Sequence, residues 1–281
     1  MNKYTKLINN IVSFGNSDDR IVAIVLIGSQ ARKEKASDEY SDLDLIVIAE
    51  DTNSFIQSND WLEKISKYHI SFLEKTVDGA DEKRVLFEDA LDVDFVIISE
   101  KDAKTALVSG ESRKMLCNGY CVLVDKKGMQ AYIPTSQQTK EPYFFPQEVE
   151  YINVVNDFWY HAIWTSKKML RGELWAAKFC LDSYMKSKLL WMLEFYEHMK
   201  NGPDYNTWYS GRFVDTWAEQ EVRNQLAKSF AHYDKQDMII ALKNTMELFR
   251  YLATNIAAVI GYKYCEDVDD YSSKWVEQNL K

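Results

Sequence analysis

The sequence predicts an α/β (α+β) chain, with a mixed sheet and helices in its first half and a helical bundle after it. Three observations carry that expectation. From residue 20 to about 125, short β-rich runs alternate with polar segments. Three of the four prolines, Pro134, Pro142 and Pro146, then gather in one polar stretch. Beyond it lie long segments of helical periodicity that hold seven of the eight tryptophans. The boundary is placed so that residues 1–135 form one domain and residues 136–281 the other.

The elements follow in order. Tyr4, Leu7, Ile8, Ile11 and Val12 recur at helical spacing, so residues 3–14 read as an amphipathic helix. "IVAIVLIG", "LDLIVIAE", "HISFLEK", "KRVLFEDALDVDFVIIS" and "YCVLVDK" have the length and composition of strands. Asp51, Thr52 and Asn53 offer capping side chains for a helix after the second run. In the second half, helical periodicity covers about 147–170, 173–200, 215–231 and 235–261. An aromatic-rich bundle is expected there.

Composition narrows the function classes. With 281 residues, 46% of them hydrophobic, the chain can bury a sizeable core. A net charge of -9 disfavours duplex nucleic acid as a partner and suits a cationic small molecule. Cys117, Cys121, Cys180 and Cys265 show no zinc or CxxC spacing with each other or with the four histidines. Reduced thiols are expected. The N-terminus has no signal-peptide pattern, and no run approaches the ~18 apolar residues that span a bilayer. A soluble, cytoplasmic protein is expected; the sequence leaves its oligomeric state open.

The chemistry concentrates in "LIGSQARKEKASDEYSDLDL", residues 26–45. Strand side chains alternate, so Asp42 and Asp44 share a face while Leu43 turns to the core. Adjacent carboxylates repel and are costly to hold together without a cation. Alone, the pair reads more readily as a solvated strand end. A second such run, "ALDVDFVII", supplies Asp92 and Asp94. Three carboxylates from two neighbouring strands can hold a pair of Mg²⁺ ions ~3.5–4 Å apart, the arrangement that clamps an in-line phosphoryl displacement. Gly28 lets backbone approach a ligand, and the amides after it, with the Ser29 hydroxyl, can cradle phosphate. Neither a P-loop nor a G-x-G-x-x-G occurs.

The pattern "IGSQAR…SDLDL…LDVDF" resembles the nucleotidyltransferase superfamily signature. "NDFWYHAIWTSKKMLRGELWAAKFCLDSYMKSKLLWML" is similar to the helical segment of the streptomycin (aminoglycoside 6-) adenylyltransferase family, and the likeness runs over nearly the whole chain. That resemblance implies transfer of AMP from ATP to a hydroxyl of a cationic aminoglycoside, with pyrophosphate released. ATP and two Mg²⁺ would bind in a cleft between the domains.

By the same resemblance Gly28 and Ser29 contact phosphate, with Arg32 a weaker contact. Asp42 and Asp44 hold metal, and Asp94, placed just before "FVII", completes the set, with Asp92 as the fallback. Asp182 and Lys186, four residues apart on one helix face, match a general base and a triphosphate contact. Without the resemblance they read as a surface ion pair worth a few tenths of a kcal/mol. Lys167 and Arg171 form a further basic pair that either meets phosphate or is solvated. Lys33 stands where the pattern often has glycine. Glu88, Asp89 and Asp157, with Trp159 or Tyr160, are candidate acceptor contacts, although core is the better reading of any one tryptophan. Two alternatives stay open: a different acceptor (a lincosamide, another metabolite or a protein), or a catalytically silent nucleotide-binding regulator.

Overall fold

Seven consecutive apolar residues, Ile21–Ile27, form strand β1, and all seven are buried. Such a run is stable only in a strand covered on both faces. The computed structural model describes residues 3–32, 37–107, 110–133 and 142–281. Lys33 and Pro134 fall outside the described residues. The chain divides into two compact units, Met1–Glu141 and Pro142–Lys281.

In the first unit helix α1, Thr5–Ser17, buries Leu7, Ile11 and Phe14. After β1 come β2 (Leu43–Ala49), α2 (Thr52–Gln57), α3 (Asp60–Glu63), β3 (Tyr68–Lys75), β4 (Asp81–Phe87) and β5 (Leu91–Ser99). Then follow α4 (Glu100–Ala106), α5 (Gly110–Cys117) and β6 (Cys121–Asp125). Asp51 caps α2 by accepting from the Ser54 amide at 3.3 Å. The strands form one sheet in the order β3-β4-β5-β2-β1-β6. β2 and β5 run parallel and every other pair is antiparallel, so the sheet is mixed. Apolar layers cover both faces, one built with Leu7, Phe14, Trp61 and Phe95, the other with Ala103, Leu107 and Leu116.

The run "KRVLFEDALDVDFVIIS" folds as a hairpin, because Asp89 and Ala90 take positive φ of 62° and 53° between β4 and β5. Glu88 therefore sits in the turn, paired with Lys67 at 2.8 Å.

The second unit is helical: α6 (Glu148–Leu170), α7 (Leu174–Phe179), α8 (Met185–Asn201), α9 (Val214–Trp217), α10 (Gln220–Leu226), α11 (Lys235–Ile260) and α12 (Glu266–Asn279). The 215–231 segment resolves into two short helices, and α12 arises in a stretch where no helix is expected from periodicity. Its first turn carries Glu266, Asp267 and Asp269, which suit a helix N-terminus. Arg250 of α11 clamps it through two bonds of 2.6 Å to Asp269. Phe158 stacks on Phe249 at 3.6 Å in the core. Trp159 is fully buried beside them, its indole N–H donating to Tyr264, and so belongs to the core. No described helix is long and apolar enough to cross a membrane.

Glu194 of α8 makes the bundle pH-sensitive. Burial pushes its carboxyl up to about 7 from 4.5. Between those values the folded chain holds a proton that the unfolded chain has released, so stability falls as pH rises through that window. Glu194→Gln is therefore expected to exceed wild type in stability by on the order of 2 kcal/mol at about pH 8, with little difference at about pH 5. Denaturant titrations at the two pH values check this; equal stabilities at the higher pH would mean the carboxyl is hydrated.

Candidate active site

The register of three strands assembles a carboxylate cluster in the first unit. Ile27 of β1 lies opposite Asp44 of β2, and Asp44 lies opposite Asp94 of β5. The chain leaves β1 in a tight turn at Gly28–Gln30, beside those carboxylates. Gly28 has φ of +68°, and a Cβ on it would lie 1.9 Å from Asp44 Oδ2. Glycine is thus required here by the Asp44 carboxylate itself, as well as by the turn.

Asp42, Asp44 and Asp94 each bring a carboxylate oxygen within 4.8 Å of the others. Asp94 is the most buried of the three, and burial pushes it up to about 7; Arg84 opposes the shift, while Glu82, Asp42 and Asp92 add to it. Three converging hard oxygen donors fit a divalent cation. Asp92 stands outside this set: its Oδ1 accepts from the Tyr4 hydroxyl at 2.9 Å. Ser29 Oγ is shielded from water with no hydrogen-bond partner among the described residues. A shielded hydroxyl without a partner costs free energy and suits a ligand oxygen. The Arg32 amide donates to Gly28 O at 3.1 Å, and its backbone packs against Gly119.

Periodicity gives no sign of two further contributors. Arg84 of β4 lies opposite Asp94 in the β4–β5 register, with Nη2 3.4 Å from Asp94 Oδ2. Only the hairpin register reveals it. Gln30 donates from Nε2 to Asp42 O at 3.4 Å and accepts from Ser37, tying the turn to the head of β2.

In the second unit, α7 and α8 are joined by a π-helical turn, Cys180–Tyr184, that carries Asp182. The Met185 amide donates to Cys180 O, five residues back. Such turns are rare and frequent at functional sites. Asp182 Oδ2 pairs with Lys178, while Oδ1 is shielded and has no hydrogen-bond partner among the described residues. The Lys186 ammonium turns into the bundle, donating to Leu181 O at 3.2 Å and to Thr245 Oγ1 at 3.0 Å. Burial pushes it down to about 8, against the pull of Asp182. Lys167 lies over the Trp275 ring, and Arg171 pairs with Glu173 at 2.6 Å. Asp157 is engaged by Lys188 at 2.8 Å, by His161 and by the Tyr184 hydroxyl.

A mixed sheet that sets a Gly-Ser turn against three carboxylates is the framework of a nucleotidyltransferase. The model of one family, described as streptomycin adenylyltransferase, matches residues 1–279. The chain belongs to that family, whose chemistry implies ATP as co-substrate and a divalent metal ion. It is 21% identical to an aminoglycoside 6-adenylyltransferase of Bacillus subtilis (strain 168), an alignment covering 99% of this chain and 98% of that protein. It is also 21% identical to one of Campylobacter jejuni, over 90% of this chain and 88% of the relative. A crystal structure of an aminoglycoside 6-adenyltransferase from Bacillus subtilis aligns with a TM-score of 0.46 at 20% identity, covering 97% of this chain and 96% of that one.

Proposed function

We propose that the chain transfers AMP from ATP to a hydroxyl of an aminoglycoside, streptomycin or a close relative. The observation that carries this reading is the Asp42–Asp44–Asp94 cluster lying beside an unpartnered Ser29 hydroxyl. Family membership and the net charge of -9 support a cationic acceptor. Four free cysteines and the need for ATP suit the cytoplasm.

Two Mg²⁺ held by the three aspartates would neutralise charge on the phosphates. Ser29 donates to a phosphate oxygen, with Gly28 and Arg32 shaping the turn around it. Asp182 acts as the base, its carboxylate taking the acceptor hydroxyl proton. The acceptor oxygen bonds to the α-phosphorus as the bond to the β-phosphate oxygen breaks, and that electron pair leaves with pyrophosphate.

Pyrophosphate release from Mg-ATP, with and without streptomycin, tests the reading. Streptomycin-dependent release is expected in wild type, with a loss of about 10²-fold or more in Asp182→Asn. No release from protein that binds Mg-ATP would send the acceptor to another class. An undiminished Asp182→Asn rate would take the base assignment away.

A further inference from the structure

Lys186 is a costly residue for the place it occupies. Its side chain is only 9% exposed inside the bundle, and a buried ammonium is costly unless it is used. One of its two hydrogen bonds reaches the π turn and the other reaches α11. The first goes to Leu181 O, the carbonyl that an uninterrupted α-helix would give to the Met185 amide. The second goes to Thr245 Oγ1 of α11, which in turn donates to Ala241 O at 2.7 Å. Phe230 closes over the ammonium at 4.9 Å. The same ammonium lies 3.8 Å from Asp182 Oδ1, too far for a hydrogen bond but close enough to hold the carboxylate by charge.

We propose that Lys186 is a positioning residue for Asp182: it fastens the π turn to α11 and fixes the orientation of the Asp182 carboxylate. This rests on the reading of Asp182 as the base. It replaces the triphosphate contact implied by the family resemblance, because an ammonium that reached for phosphate would abandon Leu181 O and Thr245 together. The sealed slot also distinguishes lysine from arginine. A planar guanidinium cannot take the place of a compact ammonium between a carbonyl, a hydroxyl and a ring.

Two measurements separate the roles. The first is the affinity for α,β-methylene-ATP with Mg²⁺, which needs no acceptor. Lys186→Met is expected to bind it within about twofold of wild type, whereas a tenfold or greater loss would make Lys186 a phosphate contact and overturn the proposal. The second is a double-mutant cycle on streptomycin-dependent pyrophosphate release. Lys186→Met alone should lower kcat by about 10-fold or more with KM for ATP unchanged, Lys186→Arg should fail to rescue it, and adding Lys186→Met to Asp182→Asn should cost nothing further. Losses that multiply in the double variant, or full rescue by arginine, would also overturn it. Should Lys186→Met not fold, Thr245→Val removes the anchoring hydroxyl at similar volume and runs the same cycle. A fully active Asp182→Asn would instead refute the base assignment, and a wild type silent with streptomycin would refute the acceptor. In the silent case hydrogen exchange decides: faster exchange of the Cys180–Tyr184 amides in Lys186→Met is expected, and unchanged exchange overturns the proposal.

Discussion

Asp44→Asn lowers the rate of AMP transfer by about 10³-fold, roughly 4 kcal/mol of barrier, while the chain stays folded. Asp44 faces Ile27 on one side and Asp94 on the other, so its oxygens point into the centre of the carboxylate cluster. Asparagine keeps the shape and removes the charge proposed to bind metal. The fold should gain slightly, since one of three mutually repelling carboxylates becomes neutral. Pyrophosphate release at saturating ATP over a range of Mg²⁺ concentrations, with a thermal melt alongside, checks both halves. Wild-type turnover in this variant would remove the cluster from the mechanism.

Gly28→Ala costs turnover on a similar scale, by a different route. The added methyl would lie 1.9 Å from Asp44 Oδ2, so the carboxylate or the turn must move. The φ of +68° adds about 1–2 kcal/mol of strain for any L side chain. Gly79→Ala is the matched control, with φ of +83° and nothing within 4 Å of the new methyl. It should lower the melting temperature without touching the rate. If the two variants lose activity equally, backbone strain explains the loss at Gly28 and the Asp44 contact does not.

Much of the first unit could be read from the chain, because its strands are apolar runs with punctuated ends. "IVAIVLIG" and "LDLIVIAE" are β1 and β2 almost residue for residue. The two acidic motifs were visible for the same reason, since each opens such a run. What the sequence hides is register. The contact of Gly28 with Asp44 and the presence of Arg84 both depend on which residue faces which across the sheet. No local pattern states that.

The second unit shows a different limit. Reading Asp182 and Lys186 as neighbours on a surface assumed a regular α-helix. Ala177, Leu181, Met185, Leu189 and Leu193 are all buried, however, and they recur every four residues. On an α-helix that stripe drifts by about 40° per step, so a locally wider turn is needed to keep it facing one way. The period of four was the available signal for the π turn, and it places Lys186, the residue after Met185, near the buried side. Trp159 was legible only as one aromatic among many; besides its neighbour Phe158, it packs against Phe249 and Tyr264, contributed by distant parts of the chain.

The interlock of Gly28 with Asp44 also imposes an order on how such a chain can change. While the carboxylate is present, no side chain fits at position 28, and the first step away from catalysis cannot be taken there without a clash. Position 28 can vary without that clash only in a chain that has already given up the carboxylate at position 44, where the preference of its backbone still favours glycine.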